Sequence, residues 1–359
     1  MKPAAVLIGC VLLTGACGRN PPLTESEKNQ VSEMTTDMKT QCVGRYLIDM
    51  PAIVSPIGTA KFDGVSVEAK AMTLKDFDHA MQELEAKMKA TKSSMGFRFL
   101  YDYGDVPNVK RTKYFISLGD YGSSSDSVRI IDAYKWDQGY QVTLKFKAKD
   151  YTRSVIRDMP SVKNMPVQND VPEKTRIVFD LLARIQGRVD DAVPTEPGAC
   201  FFGGFLKGKA SGTEKIDSVF LIPDKPDVWF NLESYTNLSA DDTLLQRVRS
   251  SEARELFKAT NGRLIRSGTI ALEGGLKADE ALMSGRTPAN DVVQGNLLSL
   301  EANYAGGPVT PYLLLDMKNG YPSELIESYD IKRASLTEGE AVGIWDMVAR
   351  SLRARPNAF

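Results

Sequence analysis

Cys42-Val43-Gly44-Arg45-Tyr46-Leu47 and, 158 residues later, Cys200-Phe201-Phe202-Gly203-Gly204-Phe205-Leu206 decide the fold. Each puts a cysteine ahead of a glycine-bearing stretch and an apolar run, and each opens a series that recurs in order. Val65-Ser66-Val67-Glu68-Ala69 is matched by Val228-Trp229-Phe230-Asn231-Leu232-Glu233, both alternating like half-buried strands. A later strand, Tyr140 to Lys147, is matched by Pro311 to Met317. The closing helix Phe179-Asp180-Leu181-Leu182-Ala183-Arg184 is matched by Trp345-Asp346-Met347-Val348-Ala349-Arg350. The offsets are 158, 163, 171 and 166, so order is kept with small insertions, the mark of a duplication. The expected fold class is α+β: two similar duplicated domains, residues 41–192 and 198–359, each an antiparallel sheet with packed helices. The Pro- and Gly-bearing segment from Asp190 to Gly198 joins them.

Local patterns fill in the elements. Leu74, Phe77, Met81, Leu84 and Met88 make a stripe at 3- and 4-residue spacing, which predicts an amphipathic helix over 73–91 capped by Thr73. Thr337-Glu338-Gly339-Glu340 is a capping-box pattern, and the helix it starts buries Ala341, Trp345, Val348 and Leu352. Short alternating runs such as Ser127 to Tyr134 and Gln141 to Lys147 read as antiparallel strands.

The amino terminus fixes the compartment. Lys2 precedes an apolar run from Ala4 to Leu13, too short to span a bilayer and the right length for a signal-peptide core. Gly15 and Ala16 before Cys17 look like a lipobox. Residues 1–16 are expected to be cleaved and Cys17 to carry lipid, with Gly18 favouring the outer membrane over the inner. The polar segment 17–40, without clear apolar periodicity, reads as a flexible tether. The chain is expected to face the periplasm, held to the membrane through its lipid.

Composition narrows the partners. Loss of Lys2 moves the formal charge from −1 to −2, and no basic block exists for nucleic acid. Cys10 leaves with the signal and Cys17 takes lipid, so Cys42 and Cys200 remain and are expected to pair in an oxidising compartment. Two cysteines alone make no zinc site, and no EF-hand or H-E-x-x-H pattern is present.

The search for chemistry finds nothing to assign. The single histidine, His79, lies off the apolar stripe of its helix, a poor place for an oriented base. Gly122-Ser123-Ser124-Ser125-Asp126 lacks the closing glycine of a nucleophile elbow. Gly203 to Lys209 has the spacing of a phosphate loop, yet Ala210 replaces the Ser or Thr that holds magnesium, and Phe205 and Leu206 suit a strand. Asp190-Asp191 and Asp241-Asp242 sit in expected loops. No catalytic residue, cofactor, nucleotide or metal is assigned, and a binding protein is expected.

Cys42-Val43-Gly44-Arg45-Tyr46-Leu47-Ile48-Asp49-Met50-Pro51 resembles the start of the immunity proteins that neutralise the fourth family of type VI secretion phospholipase effectors. Gly198-Ala199-Cys200-Phe201-Phe202-Gly203-Gly204-Phe205 resembles the opening of that family's carboxy-terminal domain. Glu273-Gly274-Gly275-Leu276 and Pro311-Tyr312-Leu313-Leu314-Leu315 are similar as well, and the resemblance covers about residues 40–355. It implies two α+β domains gripping one cognate phospholipase in the periplasm, with stoichiometric inhibition. These motifs carry no partner-binding residue over. Tyr101, Tyr103, Asp105 and Tyr121, in aromatic-bearing loops, are the candidate contacts, since tyrosine is enriched among interface anchors. A structural envelope lipoprotein acting as a scaffold is the alternative reading.

Overall fold

The computed structural model describes residues 22–210, 212–287, 293–323 and 331–359. The signal peptide, Cys17 and Gly18 lie outside the described residues. The first half runs α1 (Glu25–Thr35), β1 (Met38–Val43), β2 (Tyr46–Pro51), β3 (Ser55–Phe62), β4 (Val65–Ala71), α2 (Leu74–Ala90), β5 (Leu100–Gly104), β6 (Thr112–Leu118), β7 (Val128–Asp137), β8 (Tyr140–Lys149), α3 (Pro160–Lys163), α4 (Val171–Arg184) and β9 (Ile185–Gly187). The second runs β10 (Gly198–Phe201), β11 (Gly204–Lys207), β12 (Glu214–Ile222), β13 (Lys225–Tyr235), α5 (Leu244–Val248), α6 (Ser251–Ala259), β14 (Arg263–Ala271), β15 (Lys277–Arg286), β16 (Gln294–Ala302), β17 (Tyr312–Asn319), α7 (Glu338–Arg350) and β18 (Arg353–Ala354).

The duplication is visible in the strand order. Twelve strands form one antiparallel sheet, β14-β15-β16-β17-β13-β12-β3-β4-β8-β7-β6-β5. Outward from the β3–β12 seam, one side reads β3, β4, β8, β7, β6, β5 and the other β12, β13, β17, β16, β15, β14. Corresponding strands therefore sit at corresponding distances from the seam. The two domains expected from sequence are present, but their sheets are fused edge to edge, which hides an edge strand of each half from other chains.

The halves are also interlocked through their hairpins. Strand β18, from the end of the second half, pairs with β2 of the first, and β9, from the end of the first, pairs with β11 of the second. Each crossing strand is followed by a buried arginine. Arg188 donates to the carbonyls of Val189, Asp190 and Ala192, and Arg355 to those of Pro194, Glu196 and Gly198. The connector between the domains is thus held from both ends by guanidinium groups. At the junction Cys42 and Cys200 form a disulfide, and Gly44 and Cys200 exchange two backbone hydrogen bonds of 2.8 and 2.7 Å. Arg45 adds a buried pair with Glu214 at 2.6 Å, tying the first hairpin to β12.

One side of the sheet, the inner face, carries the core. Helix α4 buries Val178, Leu181 and Leu182 there, and α7 buries Ala341, Ile344, Trp345, Val348 and Ala349. Trp345 finds a partner for its indole N–H in the buried carboxylate of Glu280, 2.8 Å away. The Thr73 and Thr337 caps form as the sequence predicts, each hydroxyl accepting from a backbone N–H three residues on. Gly204 to Lys207, the false phosphate loop, is strand β11.

Residues 22–40 depart from the expected tether. Thr24 and Glu27 form a reciprocal capping box that starts α1, and β1 begins at Met38. The helix persists because it has a surface to lie on. Val31 and Leu23 seat against Gly343 and Gly339 of α7, where an added Cβ would come within 2.7 Å of Val31 and 2.9 Å of Leu23. Glu27 also accepts from the Thr337 hydroxyl at 2.7 Å. Two glycines four residues apart on a distant helix supply this contact, so the segment's own periodicity could not announce it.

Candidate partner-binding surface

Among the described residues, helices cover the opposite, outer face of the sheet only at its two ends. Near one end α2 buries Phe77 and Met81, and its Glu85 reaches Lys113 of β6. Near the other, Leu244 and Val248 of α5 pack on Ala281 with Leu264, Met283 and Tyr304. Between them no described helix lies over β3, β4, β8, β12, β13 and β17, although some outward side chains, such as Gln141, are buried by their neighbours. Alternation puts Lys215, Asp217 and Val219 on this side of β12, Trp229, Asn231, Glu233 and Tyr235 on β13, and Leu314, Asp316 and Lys318 on β17.

A groove of about 780 Å³ opens beside the seam, lined by Ile57, Asp217, Val219, Trp229, Lys318 and Tyr321 among others. Its lining is largely apolar, with Asp217 as its one carboxylate and Asn231 beside it, and Glu233 and Asp316 lie next to these two in the ladder. Asp217 stands directly across from Glu233 in the ladder, and Asn231 directly across from Asp316. Like charges paired this way destabilise a sheet. Burial, with Glu233 beside it, pushes the Asp217 carboxyl up to about 6. Burial likewise pushes Asp316 up to about 6, against a 2.6 Å hydrogen bond from Ser299 and the nearby Lys318 charge. Asn231 donates to Glu233 at 2.8 Å. Asp217 Oδ1 and Asn231 Oδ1 are buried and accept a hydrogen bond from no described residue. Lys318 lies over the Trp229 ring at 4.3 Å. Such a surface suits recognition: apolar area for affinity and charge for specificity.

Comparison with known proteins identifies the group to which this surface belongs. Residues 39–188 match the family model of the Tle cognate immunity protein 4 N-terminal domain, and residues 192–357 match that of its C-terminal domain. The chain belongs to the Tle cognate immunity protein 4 family. This is a family of immunity proteins, not of enzymes. Among solved structures, a chain from the crystal structure of a Tle4–Tli4 complex is similar at 20% identity, with 90% of this chain and 99% of the other covered and a TM-score of 0.68. The apo structure of TplEi, a type VI secretion immunity protein of Pseudomonas aeruginosa, is similar at 19% identity, 90% and 100% coverage and a TM-score of 0.68. At these identities the likeness establishes the fold. No curated protein matches the chain.

In this member of the Tle cognate immunity protein 4 family the sequence-predicted contact residues collect at the far end of the first half. Tyr101 and Tyr103 lie on the edge strand β5, and Asp105 follows it, pairing with Lys113 at 3.1 Å. Tyr101 is stacked by the Arg129 guanidinium at 3.5 Å, while Tyr103, under Lys89 at 4.5 Å, remains 42% exposed. Tyr121 is 58% exposed, and its carbonyl accepts from Ser94 N at 3.1 Å. None of the four touches the central groove. His79 stays at the surface beside Glu83, 3.2 Å away.

The groove residues escaped the sequence reading for a definable reason. Trp229 and Glu233 belong to a run whose alternation predicts a strand, but which strands flank them depends on pairings over almost ninety residues, such as Trp229 with Lys318. One signal was available. Asp217, Glu233 and Asp316 interrupt otherwise β-prone runs, where a carboxylate is depleted unless its face is open.

Proposed function

We propose that this chain is a lipid-anchored periplasmic immunity protein that binds and inhibits a type VI secreted phospholipase effector, protecting the producing cell and its kin. The observation that carries this reading is the match of both family domains across nearly the whole folded body, residues 39–357 apart from a three-residue gap. Three further features support it. The lipobox-like Leu13 to Cys17 stretch would place the inhibitor beside the membrane its target attacks, raising its local concentration there. The interlocked halves and the disulfide give a stiff body whose open face needs little ordering on binding. That face offers a largely apolar groove with a carboxylate, Asp217, in its lining, the kind of surface that holds a protein partner. Inhibition is then by occupancy: a lipase clamped on this body cannot open onto a bilayer, and one copy silences one enzyme.

The test is a pull-down with residues 22–359 against lysate of the source bacterium expressing its type VI effectors. Retention of one phospholipase at one-to-one stoichiometry, with its activity lost, is the expected result. Retention of envelope-assembly proteins in its place would overturn the reading in favour of a scaffold.

A further inference from the structure

The outer face is chemically lopsided. In the first half β3, β4 and β8 present Lys61, Lys70, Lys145 and Lys147 outward with the single carboxylate Glu68. In the second half the corresponding strands β12, β13 and β17 present Asp217, Glu233 and Asp316, with Lys215 and Lys318. The fold is therefore built once without the acidic cluster, on the same strands in the same order. The carboxylates are not what holds such a sheet together. They weaken it, since Asp217 faces Glu233 and both Asp217 and Asp316 are forced above their ordinary pKa by burial. Among the described residues the nearby cations offset the cluster only in part, Lys318 favouring the ionised Asp316 without bringing it down to its ordinary value. Glu301 is engaged by Arg247, Lys215 lies over Tyr235 at 5.8 Å, and Lys318 rests on Trp229. Buried acceptor oxygens on Asp217 and Asn231 stay without donors among the described residues. An arrangement that costs free stability and leaves acceptors unfilled beside an apolar groove is complementary to a cation arriving with apolar neighbours.

We propose that the groove is the seat of a cationic anchor: a lysine or arginine of the protein partner, flanked by apolar side chains, that enters past Val219 and Trp229 and is received by the open oxygens of Asp217 and Asn231, with the charges of Glu233 and Asp316 directly behind them. The proposal deepens the partner-binding reading and rests on it for its biological setting. Arginine fits best, because the several N–H groups of its planar guanidinium fill the open acceptors at once.

Two measurements test it. The first uses the chain labelled with fluorotryptophan, which reports Trp229 apart from Trp136 and Trp345, and two probes, acetyl-Leu-Arg-Leu-amide and acetyl-Leu-Gln-Leu-amide. The arginine peptide is expected to shift the Trp229 resonance saturably and at least tenfold more tightly than its glutamine twin, with the preference lost in the D217N/D316N double variant. Equal response to both peptides, or none, would overturn the anchor. The second compares wild type and D217N/D316N for affinity to the phospholipase captured in the pull-down, with circular dichroism confirming that the variant folds. A loss of at least tenfold is expected. Unchanged affinity overturns the anchor and leaves the immunity reading standing, whereas failure of wild type to capture a phospholipase counts against that reading and leaves the peptide preference to decide the anchor.

Discussion

On the open side of the sheet, β3, β4 and β8 surround Glu68 with lysines, whereas β12, β13 and β17 gather three carboxylates beside a tryptophan. The strands correspond in order and distance from the seam, so the backbone is common and the chemistry is not. Lys145 stands directly across from Asp132 of β7, opposite charges that attract even though burial holds Asp132 above its ordinary value. Asp217 stands directly across from Glu233, like charges that repel. Duplication supplied one scaffold twice, and the second copy keeps beside its groove a like-charge pair that is worse for its own stability. Strain of this kind persists at functional sites and is compensated elsewhere. Here the compensation is at the junction, where the disulfide, the exchanged strands and the Arg45–Glu214 pair bind the halves together.

Breaking that junction is the severest test of the comparison. Cys42 and Cys200 are 158 residues apart, so their bond constrains the unfolded chain by roughly 5 kcal/mol in the loop-entropy picture. Cys42→Ser is expected to lower the melting temperature strongly under oxidising conditions and to match wild type in reductant. Equal losses in both media would assign Cys42 a packing role only. Next is Arg45, which has no counterpart in the second hairpin, where Phe202 and Gly203 form the turn. Arg45→Ala leaves Glu214 buried without its cation and should destabilise by about 3–5 kcal/mol. Denaturant melts measure this, and Arg45→Lys should recover only part of the loss.

A smaller effect separates the closing helices. Only α7 carries a docked partner helix, and the contact requires Gly343. Gly343→Ala puts a methyl 2.7 Å from Val31 and should destabilise by about 1–3 kcal/mol. Hydrogen exchange should then quicken in residues 25–35 and stay unchanged in α4.

The smallest effect goes the other way. In the folded state Asp217 and Asp316 titrate near 6, above the ordinary 3.8, so folding takes up protons between about pH 4 and 6. The contribution of these groups to stability therefore falls as pH rises through that window and stays unfavourable above it. D217N/D316N should melt higher than wild type at pH 8, by the order of 1 kcal/mol after solvent screening, with the gain shrinking toward pH 4. An unchanged or lowered melting temperature at pH 8 would show that the acidic cluster carries no strain.

Much of this architecture was legible in local sequence. The Thr73 and Thr337 caps, the apolar stripes of α2 and α7 and the alternation in β4, β8 and β13 are all set by neighbours a few residues away. The ordered recurrence from Cys42 and Cys200 exposed the duplication. What local pattern cannot encode is partnership. The fusion of two sheets at β3 and β12, the pairing of β18 with β2 and the docking of α1 on Gly339 and Gly343 each join segments more than 130 residues apart. The groove belongs to the same class, because it exists only once β12, β13 and β17 are side by side. The aromatic residues Tyr101, Tyr103 and Tyr121 were legible as candidates, yet two of them already serve cations of this chain, Arg129 and Lys89.

The most direct test of the account is a stoichiometric titration of the captured phospholipase with residues 22–359, following lipid hydrolysis. Activity is expected to fall linearly and vanish at one molar equivalent, with D217N/D316N displacing the curve to higher concentration. Hydrolysis that continues undiminished past several equivalents of the wild-type chain would contradict the account.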